Sequence, residues 1–209
     1  MDAFEEVMSA QCAVIIPFRR KMVKRTAEAA QHKYTSISGR PNELFAMAYE
    51  CCVPENQDEA DFARDSLRKN RQEDVFRGST SFGVQREDIE LTLNGREMKV
   101  FASQGQIRTA ALSMKLAQMD VFRHESGEAP ILLLDDVMSE LDMTRRTRLL
   151  EEISGVQTFI TCTDESDLDG CRERRSYQVT MDPEGFAHIC ENSAGSELPV
   201  IDMLDDLEL

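Results

Sequence analysis

Two aspartates at the end of an apolar run are the residues of this sequence best suited to chemistry. Ile131-Leu132-Leu133-Leu134 leads directly into Asp135-Asp136. The pattern describes a buried strand that delivers carboxylates to the C-terminal edge of a sheet, where open α/β folds place their ligands. Adjacent carboxylates repel each other and are eased by a cation or a proton. Mg²⁺ suits them, because it is a hard ion that takes oxygen ligands and shares them with phosphates. The alternative is structural: the pair caps the turn that follows, Val137-Met138-Ser139-Glu140-Leu141-Asp142. About thirty residues upstream, Ser103-Gln104-Gly105-Gln106 stands directly before an apolar-striped helix. A serine and a glycine at a helix N-terminus turn backbone N–H groups and the positive end of the dipole toward an anion, and side-chain amides add donors. Such caps begin many helices. The acidic strand at this spacing is what gives the pair meaning.

The elements that must position these groups are legible as periodicities. Ile107, Ala110, Met114, Ala117 and Val121 recur at helical steps, predicting one apolar stripe on a helix from Gly105 to about Gly127. The run 130–134 is continuously apolar, as in a parallel-sheet strand buried on both faces. A helix over Met143 to Ile153 and a second buried strand over Val156 to Cys162 complete a strand, helix, strand unit. Before it, Ile89, Leu91 and Leu93 alternate, Asn94-Gly95 supplies a two-residue turn, and Met98 and Val100 continue the alternation, which reads as a hairpin. Residues 2 to 34 hold no glycine and only Pro17, and Phe4, Val7, Met8, Val14, Ile15, Phe18, Met22 and Val23 predict a long helix, bent near Pro17. A short strand over Leu44 to Val53, a charged helix over Gln57 to Phe76, and a last hairpin of Ser176 to Thr180 with Phe186 to Cys190 fill the remainder.

The chain has 209 residues, enough for one good-sized domain or two small ones. Its 24 basic and 39 acidic residues give a net charge of -15, which disfavours coating nucleic acid by bulk electrostatics and makes any DNA contact local. Charge is uneven. Arg19, Arg20, Lys21, Lys24, Arg25, Lys33 and Arg40 form the one concentrated basic stretch, readable as a solvated helix face or as a phosphate-facing patch. Residues 191–209 are acidic without a base and are expected to be disordered. No segment approaches the length of a membrane span, and MDAFEEVMSA is acidic where a secretory signal is basic, so the expected location is cytoplasmic. The six cysteines form no CxxC pair and are read as reduced thiols.

Ser103-Gln104-Gly105-Gln106 with Arg108-Thr109-Ala110-Ala111, the strand ending in Asp135-Asp136, the Ser139-Glu140-Leu141-Asp142 turn and Thr158-Phe159-Ile160-Thr161 together resemble the C-terminal half of the RecF family. The likeness is strongest over 77–163, and residues 1–76 are similar to the family's helical second lobe. It implies an α/β fold, the C-terminal part of an ABC-type P-loop ATPase head with a partial helical lobe, divided as 1–76, 77–190 and the tail 191–209. It also implies ATP and Mg²⁺ as ligands. Ser103, Gln104, Gly105 and Gln106 correspond to the signature motif, which reaches the γ-phosphate held by the other subunit of a dimer. Asp135 is similar to the carboxylate that orders Mg²⁺, and Asp136 to the acid that polarises the attacking water. Ser139, Glu140, Leu141 and Asp142 resemble the D-loop that crosses the dimer interface, and Thr163, or Cys162, falls where many ABC ATPases place a switch histidine. The family implies a DNA replication and repair protein, linked to DNA damage and the SOS response, that dimerises with ATP on DNA at gaps and single/double-strand junctions. There it supports RecA loading with RecO and RecR. For DNA the candidates are Arg19, Arg20, Lys24, Arg25 and Arg86.

Three departures qualify this. The family's Gly-Pro-His-Arg-Asp-Asp is here Gly83-Val84-Gln85-Arg86-Glu87-Asp88, the switch histidine is absent, and no GxxxxGK[ST] occurs, so the phosphate cradle and its lysine are missing. The sequence is therefore expected to begin partway through such a protein and to turn over little ATP alone. An alternative is a non-catalytic interaction fragment that docks on a separately encoded N-terminal half or competes for RecR. A chromosome-maintenance head is disfavoured, because no long heptad region adjoins it.

Overall fold

The structure is a computed structural model and describes residues 2–171 and 174–192. It divides into two units, Met1–Asp169 and Gly170–Leu209. The second unit contains an antiparallel hairpin of β6 (Ser176–Met181) and β7 (Ala187–Asn192), each ending one or two residues later than predicted and β7 starting one residue later. The acidic tail beyond Asn192 lies outside the described residues.

The first unit is built around one helix. α1 (Asp2–Ser38) runs through Pro17 and is about 55 Å long at 1.5 Å per residue. Its buried residues are Glu5, Ser9, Cys12 and Ile16 in the first half and Thr26, Ala30, Tyr34, Ile37 and Ser38 in the second. α1 packs against β1 (Phe45–Glu50), α2 (Glu59–Arg77) and α4 (Gln104–Ser126). Here the periodicity argument succeeds in type and fails in direction. Phe4, Val7, Val14 and Phe18, which announced the helix, are 52, 62, 68 and 63% exposed, because the adjoining helices take the opposite face.

α2 is bounded as chemistry requires. The Asp58 side chain accepts the Asp61 N–H at its start, and Gly78 at φ 69° closes its end. β1 pairs antiparallel with β2 (Asp88–Leu93), which turns through Asn94 and Gly95, both at positive φ, into β3 (Arg96–Glu97). The hairpin prediction is corrected at this point. β3 stops after two residues and Met98–Phe101 forms a short helix, α3, because Met98 is drawn into a core with Tyr34, Phe45 and Ala110.

The parallel unit is as expected in topology. β4 (Leu132–Asp135) pairs in parallel with β5 (Thr158–Thr161), joined by α5 (Met143–Glu152). Leu134, Met138, Leu141 and Leu149 form its core with Leu112 and Leu116 of α4. The expectation of burial on both faces is overturned. Ile131 at 57%, Leu133 at 72% and Phe159 at 58% are exposed, since helices cover only one face of this two-stranded sheet. α4 likewise buries a broader face than the predicted stripe, adding Thr109, Leu112, Ser113 and Leu116, while Ile107 is 38% exposed.

Candidate functional site

The N-terminus of α4 is fixed by a reciprocal cap. The Ser103 side chain accepts the Gln106 N–H at 3.3 Å, and the Gln106 side-chain carbonyl accepts the Ser103 N–H at 2.9 Å. The same residues carry further anchors. Gln106 Nε2 donates to Glu43 at 3.0 Å, and Glu43 also accepts Tyr34 Oη and Arg40 Nη1, both at 2.8 Å. Burial pushes the Glu43 carboxyl up, but bonds from Arg40, Tyr34 and Gln106 outweigh it and hold the group below the usual carboxylate range. One half-buried anion on the 39–44 loop therefore ties α1, the loop and the start of α4 together. Nothing in the sequence pattern announces Glu43; its role depends on a tertiary contact.

The acidic strand end is equally constrained. In the β4–β5 register Asp135 lies opposite Thr161, whose hydroxyl donates to Asp135 Oδ1 at 2.6 Å and accepts the Asp136 N–H at 2.9 Å. Asp136 has φ 50°, a left-handed conformation that costs a non-glycine residue roughly 1–3 kcal/mol and concentrates at functional sites. Both carboxylates are exposed. Thr161 was available to sequence reasoning as a residue inside the second strand, expected to end at Cys162, but only the register identifies its partner.

After Asp136 the chain curls through the 3₁₀ turn Met138–Glu140 into α5, whose first N–H groups are capped by Asp142 accepting from Arg145 N at 3.0 Å. Arg146 holds this curl from inside. Its Nε donates to the carbonyls of Met138 at 2.8 Å and Leu141 at 2.9 Å, and its Nη1 pairs with buried Asp167. Two further arginines bring the curl to the α4 N-terminus. Arg145 reaches both Asp142, at 3.5 Å, and the Gly105 carbonyl, at 3.5 Å, while Arg108 faces Glu140 at 3.4 Å. The structure thus brings 103–106 and 139–142 together at one edge, where Ser103, Gln104, Ser139, Glu140 and Asp142 are exposed and Leu141 is buried beneath. Thr163 lies exposed in the loop directly after β5.

The basic stretch is placed differently from a free phosphate-facing patch. Arg19 donates to Glu87 and to the Val84 carbonyl, Arg20 to Glu59 and the Val53 carbonyl, and Arg25 pairs with Glu125. Arg86 bonds the Thr80 carbonyl. The guanidiniums of Arg19, Arg20 and Arg25 join α1 to its neighbours, so the apparent patch is in large part intramolecular ion pairing.

A metal would find hard oxygen donors in Asp135, Asp136 and the Thr161 hydroxyl, which suit Mg²⁺ shared with a phosphate. Among the described residues no cluster of three or more His, Cys, Asp or Glu forms a full metal cage. No helix there is long and apolar enough to cross a membrane.

No family model matches the chain. Among curated proteins it is 38% identical over 167 residues to the DNA replication and repair protein RecF of Alkaliphilus oremlandii, covering 78% of this chain and 46% of that protein. The corresponding protein of Lactobacillus gasseri is 37% identical over 202 residues, with 94% and 51% covered. A solved structure of the recombination mediator RecF with ATP, described in the RecFOR pathway, matches at TM-score 0.73 and 32% identity, over 90% of this chain and 50% of that one. The SMC head bound to the C-winged helix domain of ScpA matches at TM-score 0.50 and 15% identity, over 83% of this chain and 44% of that one, a likeness of fold alone. The fold is that of part of an ABC-type ATPase head, and the chain spans about half the length of the curated relatives it matches. On these grounds the chain belongs to the RecF family, over a stretch consistent with that family's C-terminal half.

Proposed function

We propose that this chain contributes the trans-acting half of a RecF-type ATPase head serving DNA replication and repair. The observation that carries the reading is the single edge formed by Ser103–Gln106 and Ser139–Asp142, braced by Arg145 and Arg108. One rigid edge suits two motifs that must meet a nucleotide held by another subunit. On this reading the residues 103–106 face the γ-phosphate of ATP, 139–142 cross an ATP-dependent homodimer interface, Asp135 holds Mg²⁺, Asp136 orients the attacking water and Thr163 stands at the switch position. Mg²⁺ supplies charge neutralisation on the phosphates when bound. Thr161 holds the Asp135 carboxylate and the Asp136 backbone, so that both are preset. Residues 1–76 serve as the helical lobe and 77–190 as the head; the work is cytoplasmic, at DNA gaps and junctions, with RecO and RecR in support of RecA. DNA contact has the least geometric support, because Arg19, Arg20 and Arg25 hold acidic partners. Lys24→Glu is expected to lower DNA affinity and flatten its salt dependence.

Phosphoryl transfer needs a cradle and lysine that this sequence lacks. The test is ATP turnover by the chain alone and mixed with the portion of the Lactobacillus gasseri protein outside the matched 202 residues. Negligible turnover alone, and turnover in the mixture abolished by Asp136→Asn or Ser103→Ala, are the expected results. Turnover by the chain alone that Asp136→Asn abolishes would overturn the division of labour. The second reading, a non-catalytic fragment that docks on a separate N-terminal half or competes for RecR, is favoured by the bare face of Ile131, Leu133 and Phe159. A complex without turnover would select it.

A further inference from the structure

Two neighbouring thiols point at one oxygen. Along a strand, successive side chains face opposite sides of the sheet. β1 ends at Glu50, and the Cys51 N–H then bonds the Tyr49 carbonyl at 3.1 Å, a contact spanning two residues that curls the chain out of the extended form. The curl brings both thiols to the same side, with Cys51 Sγ and Cys52 Sγ 3.5 and 3.1 Å from Glu87 Oε1. Both cysteines are half-buried, within reach of a small solute, whereas Cys12 in the same core cluster is 1% exposed. Cys51 Sγ also receives the Arg20 guanidinium at 3.5 Å and the Val53 N–H at 3.4 Å. A thiol that only fills a core behaves as a small hydrophobe. This pair sits instead at the margin of a core, between a carboxylate and a guanidinium.

We propose that Cys51 and Cys52 form a dithiol site for soft trivalent thiophiles of the arsenous acid class, which bond two sulfurs through one atom. The site rests on side-chain placement and stands whether or not the chain serves an ATPase head. Its chemistry exchanges oxygen for sulfur with no change of oxidation state. With phenylarsine oxide, the Cys51 thiol adds across the arsenic–oxygen bond, which forms one arsenic–sulfur bond and leaves a hydroxyl on arsenic. The Cys52 sulfur then displaces that hydroxyl, and the Cys52 proton departs with it as water. Glu87 already accepts this S–H and is placed to carry the proton to the leaving oxygen. Burial and Glu87 push the Cys52 thiol up to about 12, which makes it a poor nucleophile toward a separate reagent. Attachment through Cys51 removes that handicap, because the second bond closes within one molecule. The product carries no charge on arsenic, so the buried carboxylate gains no neighbouring anion.

The test incubates the reduced chain with phenylarsine oxide in excess β-mercaptoethanol and follows intact mass, tandem mass spectra and amide hydrogen exchange. A single phenylarsenic unit bridging Cys51 and Cys52 is the expected result, held against the monothiol and released by dithiothreitol. Cys51→Ser and Cys52→Ser, which keep a donor for Glu87, should each lower affinity at least about a hundredfold, because each removes the intramolecular bond. Cys190→Ser, at an exposed position of the hairpin, should leave affinity unchanged, and circular dichroism checks that each variant is folded. In the loaded chain exchange should speed over 84–88, where Glu87 has lost its thiol donors. An adduct that β-mercaptoethanol strips from the unsubstituted chain, or no adduct at all, overturns the site. An adduct that survives Cys52→Ser pairs Cys51 with another thiol, such as Cys12, and overturns the assignment. Unchanged exchange over 84–88 in the loaded chain overturns the part given to Glu87.

Discussion

Glu87 shows how much structure one carboxylate can organise. Its side chain is 1% exposed and accepts from Arg19, from the Tyr49 hydroxyl, and from the Cys52 backbone N–H and thiol at 3.2 and 3.1 Å. Burial pushes its pKa up, yet the bonds from Tyr49, Cys52 and Arg19 prevail and hold it below its ordinary value of 4.5. The same carboxylate pushes the Cys52 thiol, already raised by burial, up to about 12, so that thiol is a donor and not a nucleophile at neutral pH. A group with a depressed folded pKa adds stability that is complete above its unfolded value and is lost as pH falls through the folded one. Stability to urea should therefore decline as pH drops below about 4.5, and Glu87→Gln should flatten that decline. Glu87→Leu, which leaves the Tyr49 hydroxyl and the Cys52 N–H without this acceptor, is expected to cost about 1–3 kcal/mol in urea unfolding at neutral pH. At Asp136 the sign reverses. Replacement by glycine relieves φ 50° and should raise stability by up to about 1 kcal/mol.

At the scale of elements, the strand, helix, strand unit was legible because its ingredients are local: a continuous apolar run, Asp142 as cap, and apolar positions along α5. The region after Asn94-Gly95 was not, because alternation of Met98 and Val100 cannot distinguish two more strand residues from a helical turn that buries Met98. The acidic strand end and the α4 cap were readable as candidate chemistry from residue types alone. The arginines that join them were not, since Arg108, Arg145 and Arg146 look like any charged helix surface until the 103–106 and 139–142 segments are brought together. Arg146 is the most instructive of the three. Removing it by Arg146→Ala leaves the Leu141 carbonyl and the buried Asp167 carboxylate without their donor and the Met138 carbonyl with the Leu141 N–H alone, and should speed amide exchange at 137–142 while α5 stays protected. A loss of about 1–3 kcal/mol in global stability is expected with it.

For the whole molecule the informative quantity is which apolar surface is left over. α1 was identified correctly as a helix by Phe4, Val7, Val14 and Phe18, but those residues describe a surface that this chain does not itself cover, and no periodicity can reveal which face finds a neighbour. The same holds for Leu133 and Phe159. Because they are exposed, the double substitution Leu133→Lys with Phe159→Glu should move the melting temperature by less than about 3 °C and should reduce self-association measured by light scattering at high protein concentration.

The cap at the start of α4 has a thermodynamic consequence. Ser103 and Gln106 satisfy each other's backbone N–H groups, which leaves those of Gln104 and Gly105 as the backbone donors at this helix start. Two such donors hold an anion weakly, so titration of the chain with inorganic sulfate should show binding no tighter than about the millimolar range. A phosphate would be retained only when a second surface holds the remainder of the molecule that carries it, so the segment acts as a detector of presentation and not of concentration.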